Sequence, residues 1–131
     1  MIVGFNIDSI EAEKGSGSNG NIQVNYAPKI KDVTEQSVNA IDEPVAKIDF
    51  EFDVNYMTGD TQAAQIQMSG HILWKNQLDE IMDLWEEDET LPEKVNTPLM
   101  NEMYKKLLSE AVGVADTLNL LPPIPTPTVD K

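Results

Sequence analysis

The sequence predicts an α+β fold, a four-stranded antiparallel sheet followed by one short and one long C-terminal helix packed on one face. Three observations predict it. Val45–Tyr56 and Ala64–Trp74 alternate apolar and polar residues with the two-residue period of half-buried strands. Two earlier stretches carry a weaker form of that alternation, and beyond Trp74 apolar residues recur at three- and four-residue steps as far as Leu118. Strands first and helices second is the order of a sheet with its helices gathered on one face.

Met1–Glu13 sets Val3, Phe5 and Ile7 against Asn6 and Asp8, and the apolar set then moves to Ile10 and Ala12. Such a change of parity requires a β-bulge, or a strand whose halves face different layers. The run Gly15–Asn21, rich in glycine and serine, reads as a turn; it lacks both the glycine spacing and the Gly-Lys-Ser/Thr ending of a phosphate loop. Ile22, Val24 and Tyr26 open a second strand. Pro28 cannot donate to a ladder, so this strand is expected to be bulged there or to lie at an edge. Ile30–Val33 extends the same pattern, and Asn39–Pro44 reads as a loop.

In the third and fourth strands, Ala46, Ile48, Phe50, Phe52, Val54 and Tyr56 share a face, as do Ile66, Met68, Ile72 and Trp74. Met57–Gln62 turns the chain between them, with Gly59 suited to positive φ. Both apolar faces are even-numbered, so opposed residues must have numbers with an even sum. A three-residue loop Gly59-Asp60-Thr61 satisfies this. It pairs Val54 with Ile66, Phe52 with Met68, Phe50 with Gly70, Asp53 with Gln67 and Asp49 with His71.

Asn76–Glu89 predicts the short helix, through the stripe Leu78, Ile81, Met82 and Trp85. The long helix is expected from Leu99 to Leu120, with Thr97 as cap, Pro98 in the first turn, and Pro122 and Pro123 as the stop. Its buried stripe is Leu99, Met103, Leu107, Ala111, Val114 and Leu118. Residues 1–121 are thus expected to form a single α+β domain. Residues 122–131 are expected to be a proline-rich tail suited to extended, polyproline-like chain, either lying across its own fold through Leu121 and Ile124 or free of it.

The 131 residues include 23 acidic and 9 basic ones, a formal net charge of −14, and no cysteine. Such a charge repels phosphate backbones and anionic lipid, so neither nucleic acid nor membrane is expected as a partner. Without cysteine there is no disulfide, thiolate chemistry or cysteine-ligated metal, and a single histidine is a poor basis for zinc or haem. No signal or membrane-spanning stretch is evident, and a cytoplasmic protein is expected.

Asp49, Glu51 and Asp53 share one strand face at two-residue steps, and His71 opposes Asp49. That is an acid–base pair on paper only. The surrounding sequence offers no activated nucleophile, and a solvated face of an acidic protein accounts for the carboxylates. No enzymatic function, metal or cofactor is expected. Trp74, Trp85 and the methionines, Met82 among them, suit either the sheet–helix core or a surface accepting varied apolar partners.

The order of elements, closing on Leu118-Asn119-Leu120-Leu121-Pro122-Pro123, resembles the SecB family of export chaperones. In that family a helix runs into a Leu-Asn-Leu-x-Pro segment, which Leu118, Asn119, Leu120 and Pro122 match. The chain resembles a short member, of archaeal type or of the kind coupled to toxin–antitoxin systems. The resemblance implies an ATP-independent holding chaperone for unfolded or extended polypeptides, without cofactor, assembled as a homo-dimer or homo-tetramer. Tyr26, Trp74, Met82 and Trp85 are then the polypeptide-binding candidates. Asp49, Glu51 and Asp53 would form an acidic face toward a partner such as an export ATPase, and an antitoxin is the other implied client. The alternative is a non-catalytic adaptor or assembly subunit that binds one specific protein partner.

Overall fold

The computed structural model describes residues 1–15, 22–37, 43–59 and 61–120. The proline-rich segment beyond Leu120 and most of the Gly15–Asn21 and Asn39–Pro44 loops lie outside the described residues. Strands β1 (Ile2–Lys14), β2 (Gln23–Gln36), β3 (Val45–Thr58) and β4 (Thr61–Trp74) precede helices α1 (Leu78–Asp88) and α2 (Glu93–Thr117). The sheet is antiparallel throughout in the order β1-β4-β3-β2, which puts the two most regularly patterned strands at the centre and the two irregular ones at the edges.

The centre pairs as parity requires: Val54 with Ile66, Phe52 with Met68, Phe50 with Gly70, Asp53 with Gln67 and Asp49 with His71. The turn differs from the expected three-residue loop. Thr58 pairs with Thr61 and Met57 with Gln62, and the odd residue is Ala63, bulged between Gln62 and Ala64. The chain therefore corrects its parity inside the ladder. The carbonyl of Ala63 accepts the Gly15 N–H at 2.7 Å, so the bulge fastens the end of β1.

Both edge strands are bulged as well. In β1 the extra residues are Val3 and Asp8, the latter at the parity change after Ile7. In β2 Pro28 stays in register opposite Phe52, and the bulge falls at Lys31, between Ile30 and Asp32. An edge position tolerates that proline because its missing N–H can lie on the unpaired side. Bulges also blunt edges against unwanted pairing.

The core lies between β3 and β4 and helix α2. Ile48, Phe50, Phe52, Val54, Tyr56, Ile66, Met68 and Ile72 are all buried. They meet Val95, Leu99, Met103, Leu107, Ala111 and Ala115 of α2. These six recur every four residues rather than every 3.6, so the stripe winds slowly round the helix and follows a twisted sheet. The expected stripe holds through Ala111 and then passes to Ala115, with Val114 half-buried beside it.

Two features of α2 correct the sequence reading. It begins at Glu93, so Thr97 lies inside the helix and caps nothing, and Pro98 is the sixth helical residue. The first amides are satisfied by Pro92, whose carbonyl accepts the N–H groups of Val95 and Asn96 at 2.9 and 2.8 Å. At the other end the helix stops at Thr117, upstream of the prolines. Asn119 adopts a left-handed φ of 58°. Its N–H donates to Asp116 at 3.2 Å while the Leu120 N–H reaches back to Ala115 at 2.8 Å. This is the paired left-handed cap that usually employs glycine, here built on asparagine.

Helix α1 is held more lightly. Left-handed residues bound it, Asn76 and Gln77 before and Glu89 after, and Ile81 is its one fully buried side chain.

Candidate functional site

Helix α2 covers the middle of the sheet and leaves an apolar strip along each flank. On the β2 side Tyr26 projects past the helix, its ring 6.2 Å from Phe52 below and 6.1 Å, edge-on, from Tyr104 of α2. Tyr104, Leu108 and Val112 repeat every four residues beside the buried stripe, and with Lys105 and Ser109 they line an open cavity of about 450 Å³. On the β1 side Met1, Ile2, Phe5 and Trp74 face Pro98, Glu102 and Lys106 across a cleft of about 470 Å³. There the Lys106 ammonium stands 5.8 Å above the Phe5 ring, a geometry that holds the charge without an acidic partner.

Among the described residues the exposed large apolar side chains are Met1, Ile10, Ile22, Tyr26 and Tyr104. Met1 and Tyr104 line these two cavities, Tyr26 meets Tyr104 edge-on, and Ile10 pairs with Met68 on the inner face of the sheet. These four lie on the helix-bearing layer, and Ile22 directly precedes β2. Exposed apolar surface gathered on one layer and rimmed by polar groups is the mark of a site that takes another chain.

Of the residues singled out from sequence, Tyr26 is 39% exposed and lies in the β2-side strip. Trp74 is 5% exposed and belongs to the core, its indole N–H donating to Gln77 Oε1 at 3.1 Å; it lines the β1-side cleft from within. Met82 and Trp85 are half-buried on α1 and pack against the core. The four are therefore not one patch. Tyr104, Leu108 and Val112 line the β2-side cavity and are not among the sequence candidates, although Met100, Tyr104, Leu108 and Val112 form a second four-residue stripe visible in the sequence.

Asp49, Glu51 and Asp53 stand half-exposed on the outer face of the central strand. His71 opposes Asp49 in register, yet its partners belong to β1. Its Nδ1 lies 2.9 Å from Asp8 Oδ2, and Asn6 Nδ2 lies 3.2 Å from its Nε2. One neutral tautomer satisfies both contacts, with Nδ1–H donating to Asp8 and Nε2 accepting from Asn6. The ring thus ties down the bulge at Asp8 instead of serving a carboxylate of β3. Asp49 has Lys47 Nζ at 3.9 Å. No group of three or more His, Cys, Asp or Glu residues that could hold a metal occurs among the described residues.

Comparison of the whole fold supplies the missing context. The chain superposes, over its full length, on 91% of a Mycobacterium tuberculosis SecB-like chaperone solved with a ChAD peptide from the HigA1 antitoxin, with a TM-score of 0.60 and 9% sequence identity. The fold is that of a SecB-like chaperone. At this identity the kinship is one of architecture: a four-stranded antiparallel sheet and two C-terminal helices. No protein-family model matches the sequence, and no curated protein matches it. Within the SecB-like fold, Leu118-Asn119-Leu120 acquires a physical meaning, since Asn119 is the left-handed cap that ends α2 and Leu120 folds back onto the core. No helix among the described residues is long and apolar enough to cross a membrane.

Proposed function

We propose that this protein is a non-catalytic polypeptide-binding protein that holds an extended apolar segment of a specific protein partner along the flanks of α2. The observation that carries this reading is the one-sided placement of exposed apolar side chains, above all the Tyr26–Tyr104 pair and the cavity beside it. Flat aromatic rings give a large contact area at small cost in side-chain entropy, and an extended segment adds main-chain hydrogen bonds along a sheet edge. The relative of like fold bound to an antitoxin-derived peptide supports a dedicated partner over a general one. Holding of many unfolded chains, including export clients, is the broader form of the same activity, and the acidic outer face Asp49, Glu51 and Asp53 is its proposed contact with a basic partner surface.

Selection of extended peptides from a random display library tests the reading. Enrichment of one apolar, aromatic-containing sequence family, with affinity lost in Tyr104→Ala, supports a dedicated partner. Capture of apolar peptides without a shared sequence supports general holding. Enrichment of nothing above background removes both. Self-association through the β1 edge is a further part of the proposal, because that edge is unpaired in the sheet order.

A further inference from the structure

The cavity along Tyr104, Leu108 and Val112 needs an occupant, and the sequence carries one of fitting chemistry close by. We propose that the proline-rich segment Leu121–Pro127 of the same chain docks along this stripe, as an intramolecular competitor for the polypeptide the groove takes. The competition rests on the proposed polypeptide binding. The docking itself does not.

Three observations support it. The first is chemical. Pro122, Pro123, Pro125 and Pro127 impose polyproline-like geometry in which little conformational entropy is left to lose, and grooves lined by aromatic rings are the surfaces that receive such segments. Tyr26 and Tyr104 are 39% and 37% exposed and stand ring to ring at 6.1 Å. The second is reach. From Tyr104 to Thr117 the helix advances about 20 Å at 1.5 Å per residue, and the seven residues Leu121–Pro127 span about 22 Å at 3.1 Å per residue. The left-handed cap at Asn119 reverses the chain against the helix end, as the Leu120 N–H to Ala115 bond shows. The third is charge. In a chain of net charge −14, residues 117–129 carry no charged side chain, and among the described residues Lys105 is the single charged one lining the cavity.

Because the chain has no cysteine, Thr128→Cys gives one attachment point for a nitroxide on the full chain. With the label in place, amide signals of Tyr104, Leu108 and Val112 are expected to lose at least half their intensity, while those of His71 and Asp49 on the opposite face keep theirs. Broadening limited to the helix end at Thr117–Leu120 overturns the proposal. So does equal broadening when the label sits on one molecule and the observed amides on another, since the occupant would then be a second copy.

Replacing all four prolines by glycine in the full chain is expected to tighten binding of a chemically unfolded, alkylated model polypeptide by about two- to tenfold, the gain from removing a tethered competitor. Unchanged affinity overturns the competition. If neither chain binds the polypeptide, general holding fails and the competition is overturned with it, and the broadening experiment alone decides the docking.

Discussion

Two residues sit where the backbone tolerates few side chains. Gly70 lies against the β1 backbone: a Cβ there would clash with the carbonyl oxygen of Asn6 and lie 2.9 Å from Phe50 Cζ. Gly70→Ala is expected to destabilise the protein by about 3 kcal/mol or more, because backbone and a buried ring must both yield; denaturant melts measure it. Asn119 holds φ at 58°, so Asn119→Ala is expected to cost about 1 kcal/mol and Asn119→Gly to be neutral or stabilising. Equal loss in both variants would show that the asparagine side chain, and not the backbone, makes the cap. Burial pushes the Tyr56 phenol above its ordinary range. Its folded state then binds a proton that the unfolded chain releases near pH 10, so stability falls as pH rises from there toward the folded value. Absorbance at 295 nm is expected to show one late-titrating tyrosine that Tyr56→Phe removes.

At the scale of the elements, the central hairpin was legible because a two-residue period leaves only one parity for the register. The turn was not legible in detail. A bulge at Ala63 and a longer loop give the same pairing, and hydrophobic pattern does not distinguish them. The bulge at Asp8 was readable from the shift between Ile7 and Ile10, since an extra residue must flip the faces. The ends of α2 are not legible from Pro98 and Pro122, because neither marks a boundary. Pro98 lies within the helix, and asparagine in a left-handed conformation stops it first. The β2-side strip is half legible: Tyr26 is singled out by the strand pattern and Tyr104 is not, because a stripe beside a stronger one looks like its continuation.

That adjacency also separates stability from binding. Met103 is fully buried and Tyr104 is 37% exposed. Met103→Ala is expected to cost about 2–5 kcal/mol, whereas Tyr104→Ala stays within about 1 kcal/mol and weakens peptide binding. Calorimetric titration alongside chemical denaturation tests the pair together.

At the scale of the molecule, a long sheet carries one short and one long helix on its inner face, and among the described residues two flanking strips and two strand edges are left uncovered. A net charge of −14 opposes association with phosphate backbones and favours dispersal in solution; in the proposed function, short-range apolar contact makes the selection. Self-association along β1 predicts a particle of two or four times the 14.6 kDa chain mass. Light scattering after gel filtration measures it, and a monomer at all concentrations would exclude that interface.

The most direct test of polypeptide holding is the same light-scattering measurement made with an alkylated, permanently unfolded polypeptide present at micromolar concentration. Run beside it, a carrier protein displaying the apolar peptide selected from the library is expected to co-elute as a complex of fixed stoichiometry that Tyr104→Ala weakens, and co-elution of the unfolded polypeptide as well marks general holding. Separate elution of both, with the fold intact by circular dichroism, would contradict polypeptide holding.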